Sequence, residues 1–383
     1  MNITQHSFQL HAVEHRDRTT FRTQKARLVL VFGAVAFFTA RDFMARIREM
    51  FPEAVFAGCS TAGEITPTGV QEETCVITAI DFAHTEVRVV AADLERMEDS
   101  HRAGLCLGTD LAGADLSGVL IFGTGVRING SALIEGLTRS IGNDIPVSGG
   151  LAGDGGGFER TWVLADKEVS DRKVVAVGLY GRRIGLGHGS FGGWKPFGPC
   201  REITRASGNI LHEIDGASAL SLYRRYLGAH ARDLPESGLL FPLEILNENQ
   251  HSVGLVRTIL GIDESSGSLI LAGAVAENGY LRLMSASNDD LIAGAREAAR
   301  SSMRSLDPKT MPGPGLALLV SCVGRKLVMG DRIDDEISAV IDQIGPRFAC
   351  TGFYSYGEIC PKEGMVTCQL HNQTMTVTLL IED

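Results

Sequence analysis

Among its eight cysteines the chain has no C-x-x-C pair, it has no Gly-Lys dipeptide, and it has no apolar run long enough to span a bilayer. The scattered Cys59, Cys75, Cys106, Cys200, Cys322, Cys350, Cys360 and Cys368 therefore read as reduced thiols rather than a disulfide framework or a zinc site. Without C-x-x-C-H the usual covalent c-type haem attachment is excluded, and without Gly-Lys there is no Walker phosphate loop. The longest apolar stretch, Leu28 to Ala40, is 13 residues between two arginines, whereas a spanning helix needs about 20. Its position and the lack of a small-residue cleavage pattern also argue against a secretory signal, so a soluble cytoplasmic protein is expected. Positive charge is in deficit, 36 Lys and Arg against 46 Asp and Glu, and the resulting net charge of −10 with no basic run argues against a nucleic-acid surface. Aromatics are sparse at 6%, with two tryptophans.

Glycine is abundant, with 45 residues, and it is densest in Gly185–Pro199 near the middle of the chain. Glycine gives up the most backbone freedom on folding, so such density implies a bulge, a close backbone approach or a loop shaped for a ligand. This stretch holds His188 between Gly187 and Gly189, followed by Phe191, Trp194 and Phe197. An imidazole framed by glycines and aromatics suits a metal or haem ligand. The alternative is a tight turn with a hydrogen-bonded histidine. His6, His11 and His15 lie in residues 1–24, read as an exposed leader or a short edge element.

Periodicity predicts a strand at 27–35, a helix at 43–50 ahead of Pro52, and a strand at 54–57 that runs into Gly58-Cys-Ser-Thr-Ala-Gly-Glu-Ile65. A second unit has a strand at 118–122, a helix at 131–141, a short strand at 145–147 and the glycine-rich run 148–157. Further on, helices are predicted at 217–227, 289–303 and 333–344, with strands at 174–180, 241–246, 254–261, 269–275, 280–284, 315–323 and 348–352. Gly352-x-x-x-x-Gly-Glu-Ile359 repeats the spacing of Gly58–Ile65, and Gly149-x-x-x-Gly153-Asp154 is a looser copy. A recurring strand–helix–strand–glycine turn–strand module gives a mixed α/β (α+β) protein whose glycine turns converge on a cleft.

Gly58-Cys-Ser60 lacks the last glycine of G-x-S-x-G, because Ala62 stands there, so Cys59 or Ser60 as a nucleophile has little support and no enzyme is expected. Glu64 and Glu358 occupy equivalent places, where a carboxylate can bind an amino group or cap backbone N–H groups. His371-Asn-Gln-Thr374 is polar on both strand faces, as at a sheet edge, a subunit contact or a pocket wall.

Taken together, Gly58–Ile65, Gly149–Asp154, Ser321-Cys-Val-Gly-Arg325, Gly352–Ile359 and His371–Thr374 resemble the FIST proteins (F-box and intracellular signal transduction), which carry an N-terminal and a C-terminal FIST domain in tandem. The resemblance covers about residues 25–383 and implies an N-terminal sensory domain at 25–214 and a C-terminal domain at 215–383. It implies a signal-transduction protein that binds a small ligand. With no output domain fused to the pair, it implies action on a separate partner. The form of Gly187–Trp194 with Phe197–Pro199 is similar to the nitric-oxide-sensing haemoproteins of the family. That likeness implies haem b, with His188 as iron ligand and Phe191, Trp194 and Phe197 around it, nitric oxide as effector and a histidine kinase as partner. It leaves a homodimer open. The other reading is a sensor of a small polar metabolite such as an amino acid, without haem, held by Cys59, Ser60, Glu64, Glu358 and His371.

Overall fold

In the computed structural model, which describes residues 1–9, 25–306, 313–361 and 368–383, three copies of one unit surround a shared core. The first copy contains β1 (Asn2–Gln9), β2 (Leu28–Gly33), the short α1 (Val35–Thr39), α2 (Arg41–Met50), β3 (Val55–Ser60), the hairpin β4 (Glu64–Thr66) and β5 (Gly69–Gln71), and β6 (Thr74–Asp81). The second contains β7 (Glu86–Asp93), α3 (Ser100–Leu111), β8 (Leu116–Gly123), α4 (Gly130–Ile141), β9 (Val147–Leu151), the hairpin β10 (Val163–Ala165) and β11 (Glu168–Ser170), and β12 (Lys173–Tyr180).

The third copy opens with β13 (Ile184–Phe191), and a separate layer is inserted after it. That layer comprises β14 (Lys195–Ser207), β15 (Ile210–Ile214), β16 (Ala217–Ser218), α5 (Ala219–Leu227), β17 (Leu243–Leu246), β18 (Ser252–Arg257), β19 (Ile259–Asp263), β20 (Ser268–Leu271) and β21 (Tyr280–Ser285). The copy resumes with α6 (Asn288–Ser305), β22 (Gly315–Cys322), α7 (Val323–Met329), α8 (Ile333–Ile344), β23 (Phe348–Ser355), the hairpin β24 (Gly357–Pro361) and β25 (Cys368–His371), and β26 (Met375–Glu382).

Each large sheet has the same order: opening strand, closing strand, two parallel strands, then a hairpin taken from another copy. The β4–β5 hairpin of the first copy completes the third sheet, β10–β11 of the second completes the first, and β24–β25 of the third completes the second. Residues 25–214 and 215–383 consequently share two of the three large sheets. The predicted module of two strands around a helix, followed by a glycine turn and a strand, is present three times. Gly58–Ile65 and Gly352–Ile359 occupy matching places in it. His6 lies on β1, an edge strand, while His11 and His15 fall outside the described residues.

The parallel strands are buried on both faces, which is why they read as unbroken apolar runs. At the centre Phe32 of β2, Phe122 of β8 and Phe353 of β23 meet, with ring centroids 4.8 to 6.1 Å apart. One glycine per copy lets the second parallel strand run close against the first. A Cβ on Gly58 would lie 1.9 Å from Val31 O, on Gly149 2.0 Å from Ile121 O, and on Gly352 1.8 Å from Leu319 O. In register, each of these glycines sits beside the residue that it would strike.

Outside the sheets, α4 is capped by Asn129, whose side chain accepts from Ala132 N at 3.0 Å, and α6 by a Ser287–Asp290 capping box. Periodicity does not predict α3, because Gly104 and Gly108 weaken its helical pattern. Those glycines press it onto α4: a Cβ on Gly104 would lie 2.1 Å from Leu133 O. Among the described residues no helix is long and apolar enough to cross a membrane.

Substituting Gly352 by Ala should cost about 3 kcal/mol or more of unfolding free energy by urea denaturation, because backbone rather than a movable side chain opposes the new methyl group. Gly208→Ala, at a turn with open space around it, should cost about 1 kcal/mol. Equal effects of the two substitutions would contradict the close approach.

Candidate functional site

Three related clefts lie where each copy's first parallel strand ends, and the copies fill them differently. The first is an open cavity of about 610 Å³ lined by residues of all three copies: Ala34–Phe37, Thr61–Glu64, Glu72 and Glu73 from the first, Asp154 and Gly155 from the second, and Lys326 on α7 from the third. Its floor is fixed by backbone bonds that stitch the copies together. Ala62 N donates to Tyr354 O at 2.9 Å, Gly153 N to Ser60 O at 2.9 Å and Gly155 N to Thr61 O at 3.1 Å.

Charges of both signs face this cavity. The Lys326 ammonium donates to Ala62 O at 2.7 Å and pairs with Glu72. The adjacent Glu73 is held at φ 53°, in the left-handed region that non-glycine residues seldom occupy. Glu64 is buried, receiving the Thr61 hydroxyl on one oxygen and the Thr74 hydroxyl (2.6 Å) and amide (3.2 Å) on the other. Burial pushes its carboxyl above the ordinary value, against the pull of these donors and of Lys326. The carboxylate of Asp154 accepts from the amides of Phe158, Glu159 and Arg160 at 2.7 to 2.9 Å and from the Tyr356 hydroxyl. Burial alone would raise its pKa, but those donors hold it below the usual carboxylate value.

The second cleft, about 340 Å³, is bridged by its own ion pairs, Arg172 with Glu95 at 3.1 Å and Arg160 with Asp171 at 2.6 Å. The third is plugged. Arg325, fully buried, donates to Leu291 O at 2.9 Å, to Gly192 O and to Glu336 Oε1. Glu336 also receives Ser321 Oγ at 3.1 Å and Tyr354 OH at 2.7 Å. Val31, Ile121 and Leu319 are matching positions, and six residues beyond them stand Phe37, Arg127 and Arg325. The Ser321–Arg325 motif is therefore a plug in the copy that closes its cleft.

The residues singled out from the sequence separate into groups. Ser60 and Glu64 belong to the turn under the open cavity, but Ser60 Oγ donates to Gly153 O at 2.7 Å and accepts from Trp162 N at 2.8 Å. Cys59 is buried, and burial pushes its thiol well above the ordinary value, which removes the thiolate a nucleophile needs. Glu358 repeats Glu64 in the third copy, receiving Ser355 Oγ at 2.7 Å and the hydroxyl and amide of Thr374. Both glutamates thus act as caps. His371 lies opposite Glu358 across the β24–β25 hairpin, its Nε2 3.1 Å from Cys360 O. Sequence reasoning missed Lys326, Glu72 and Glu73 as cavity residues. Lys326 directly follows the Ser321–Arg325 motif, which was the available signal.

Of the three readings of Gly185–Pro199, the close backbone approach is the one present: the stretch is strand, a short connection at 192–194, and strand. Half-buried His188 lies on β13, its amide donating to Ser305 Oγ at 2.6 Å. The space beside its glycines is filled by α6: a Cβ on Gly187 would lie 2.4 Å from Ser302 O, and on Gly189 2.1 Å from Ala298 O. Trp194 is buried, with its indole N–H donating to Gln373 O at 2.8 Å, while Phe191 and Phe197 are exposed. None of the four residues lines either of the two cavities above. Among the described residues no group of three or more His, Cys, Asp or Glu is placed to hold a metal ion.

Comparison with known proteins places this geometry in context. A family model described as the FIST N domain matches residues 27–217, and one described as the FIST C domain matches residues 219–361. No curated protein matches the sequence. Among solved structures, a cyanuric acid hydrolase from A. caulinodans is 8% identical over 99% of each chain with a TM-score of 0.39. PurLQS from Thermotoga maritima is 8% identical over 100% of this chain and 72% of that one, with a TM-score of 0.20. At those scores neither likeness carries an argument.

Burial pushes Glu358 from its ordinary 4.5 up to about 8. The folded state therefore holds a proton that the unfolded chain has released, and this glutamate's contribution to stability is lost as pH rises from about 4.5 through about 8. Glu358→Gln, which carries no charge to desolvate, should flatten that part of the pH profile and be more stable than wild type at pH 8, read from urea midpoints at several pH values. Parallel profiles for the two proteins would contradict the assignment.

Proposed function

The chain belongs to the FIST family of signal-transduction sensor domains, and from that premise we propose that its signal is a small polar metabolite bound in the open cavity over Thr61–Glu64. One observation carries the reading: of three related clefts, one is plugged by Arg325, one is bridged by two arginine–carboxylate pairs, and the roomiest stays open at about 610 Å³, faced by the Lys326–Glu72 pair and by Glu73. A zwitterion such as an amino acid matches that array by exchanging for the Lys326–Glu72 pair, with its carboxylate toward Lys326 and its ammonium toward Glu72 and Glu73. Because residues of all three copies line the cavity, a bound ligand ties the copies together, and a separate signalling protein such as a histidine kinase reads the change. The haem b reading, with nitric oxide as effector, rests on the sequence form of Gly185–Pro199 and on His188, and the packing of α6 against Gly187 and Gly189 weighs against it.

Isothermal titration against the individual L-amino acids should find a binder whose affinity falls about tenfold or more in Lys326→Ala, the loss of one charge-assisted contact. The bound form should also change the autophosphorylation rate of a cognate histidine kinase. Absence of binding across the set, together with a Soret band that His188→Ala abolishes, would replace this reading by the haem one.

A further inference from the structure

A third cavity, about 600 Å³, lies at the seam between the inserted layer and the body, and the polar-cleft reading leaves it without a role. Ile259, 1% exposed, with Leu239 and Leu240 forms its apolar floor. Phe158, Leu260 and Leu327 stand around it, 38%, 44% and 54% exposed, and they are half of the molecule's six exposed large hydrophobics among the described residues. Leaving three such side chains in water around one concavity costs apolar contact that an occupant would restore.

The rest of the lining defines the occupant. The ring of Phe158 is stacked on Tyr356 at 4.0 Å and 14°, so one wall carries a fixed flat face. Asp233 is the one formal charge in the lining, it is exposed, and His230 lies beside it. The hydroxyl of Ser237 is already committed to His230 O at 2.7 Å. We propose that this cavity is a binding site for a small amphipathic molecule with a flat apolar body and a cationic head, the body against Phe158, Leu260 and Leu327 and the head toward Asp233.

This site does not depend on the polar cavity, but the two share their walls. Gly155 lines the polar cavity and Gly156–Phe158 the apolar one; Lys326 lines the first and Leu327 the second. The Tyr356 hydroxyl pins the common loop, accepting from the amides of Gly156 at 3.0 Å and Phe158 at 3.2 Å. An occupant of the apolar cavity therefore bears on the loop and the helix that also shape the polar one.

The test uses the full chain and a matched pair of probes, 1-naphthylmethylamine and 1-naphthylacetate, followed by titration calorimetry. The amine should bind about fivefold or more tightly than the acid, and Asp233→Asn should remove that preference. Leu260→Ser with Leu327→Ser should weaken both probes by about tenfold while leaving the thermal midpoint unchanged, since both side chains are exposed. Three outcomes would overturn the proposal: no binding of either probe, binding unaffected by the leucine substitutions, or a concentration-dependent dimer that those substitutions dissolve. The last would assign the patch to a contact between copies. Amino-acid binding at the polar cavity is scored separately, so failure of one site leaves the other standing.

Discussion

The structure depends on a contact that only glycine permits: Gly58, Gly149 and Gly352 each set their backbone against a carbonyl of the neighbouring parallel strand. The parallel pairing runs on for two or three residues past each glycine, and the chain then turns to supply a hairpin to another copy's sheet. Any side chain there would strike the carbonyl at less than 2.1 Å, so the close pairing of the two parallel strands ahead of each hairpin rests on the missing Cβ. Because the exchange is cyclic, each copy lacks a complete sheet by itself. The Phe32, Phe122 and Phe353 cluster then fills the centre that the three sheets enclose.

The unit is repeated, but its clefts are not, and the candidate site comes from that difference. Where the third copy places the Arg325 guanidinium, every donor and acceptor around it is provided by the chain, and Glu336 balances the charge. Such a buried pair is costly to break, so the third cleft is closed for good. The first copy places Phe37 at the matching position and turns it into the apolar layer beneath α2, which leaves polar space above. Glu64 and Glu358 keep one role in both copies, holding the turn through hydroxyls and an amide. The difference in function therefore lies in what stands above the turn.

The fold was largely legible because strand and helix periods are strong and the glycine turns repeat at a fixed spacing. Two features concealed the rest. Glycines that serve close packing looked like breakers, which hid α3 and left Gly185–Pro199 open between a bulge, a close backbone approach and a ligand loop, when it is strand in close approach to α6. The cavity is built from residues far apart in the chain, so Lys326 reaches the Thr61–Glu64 turn only once the hairpins have been exchanged. His188 stood out by composition alone. The glycines that seemed to make room for a ligand are occupied by the chain's own helix.

The most direct test of the account is hydrogen–deuterium exchange of the whole protein with and without an equimolar mixture of L-amino acids. The account predicts added protection at the three segments that meet at the open cavity, residues 61–66, 152–157 and 323–329, with residues 185–199 unchanged. No protection at those segments, or protection centred on residues 185–199, would contradict it.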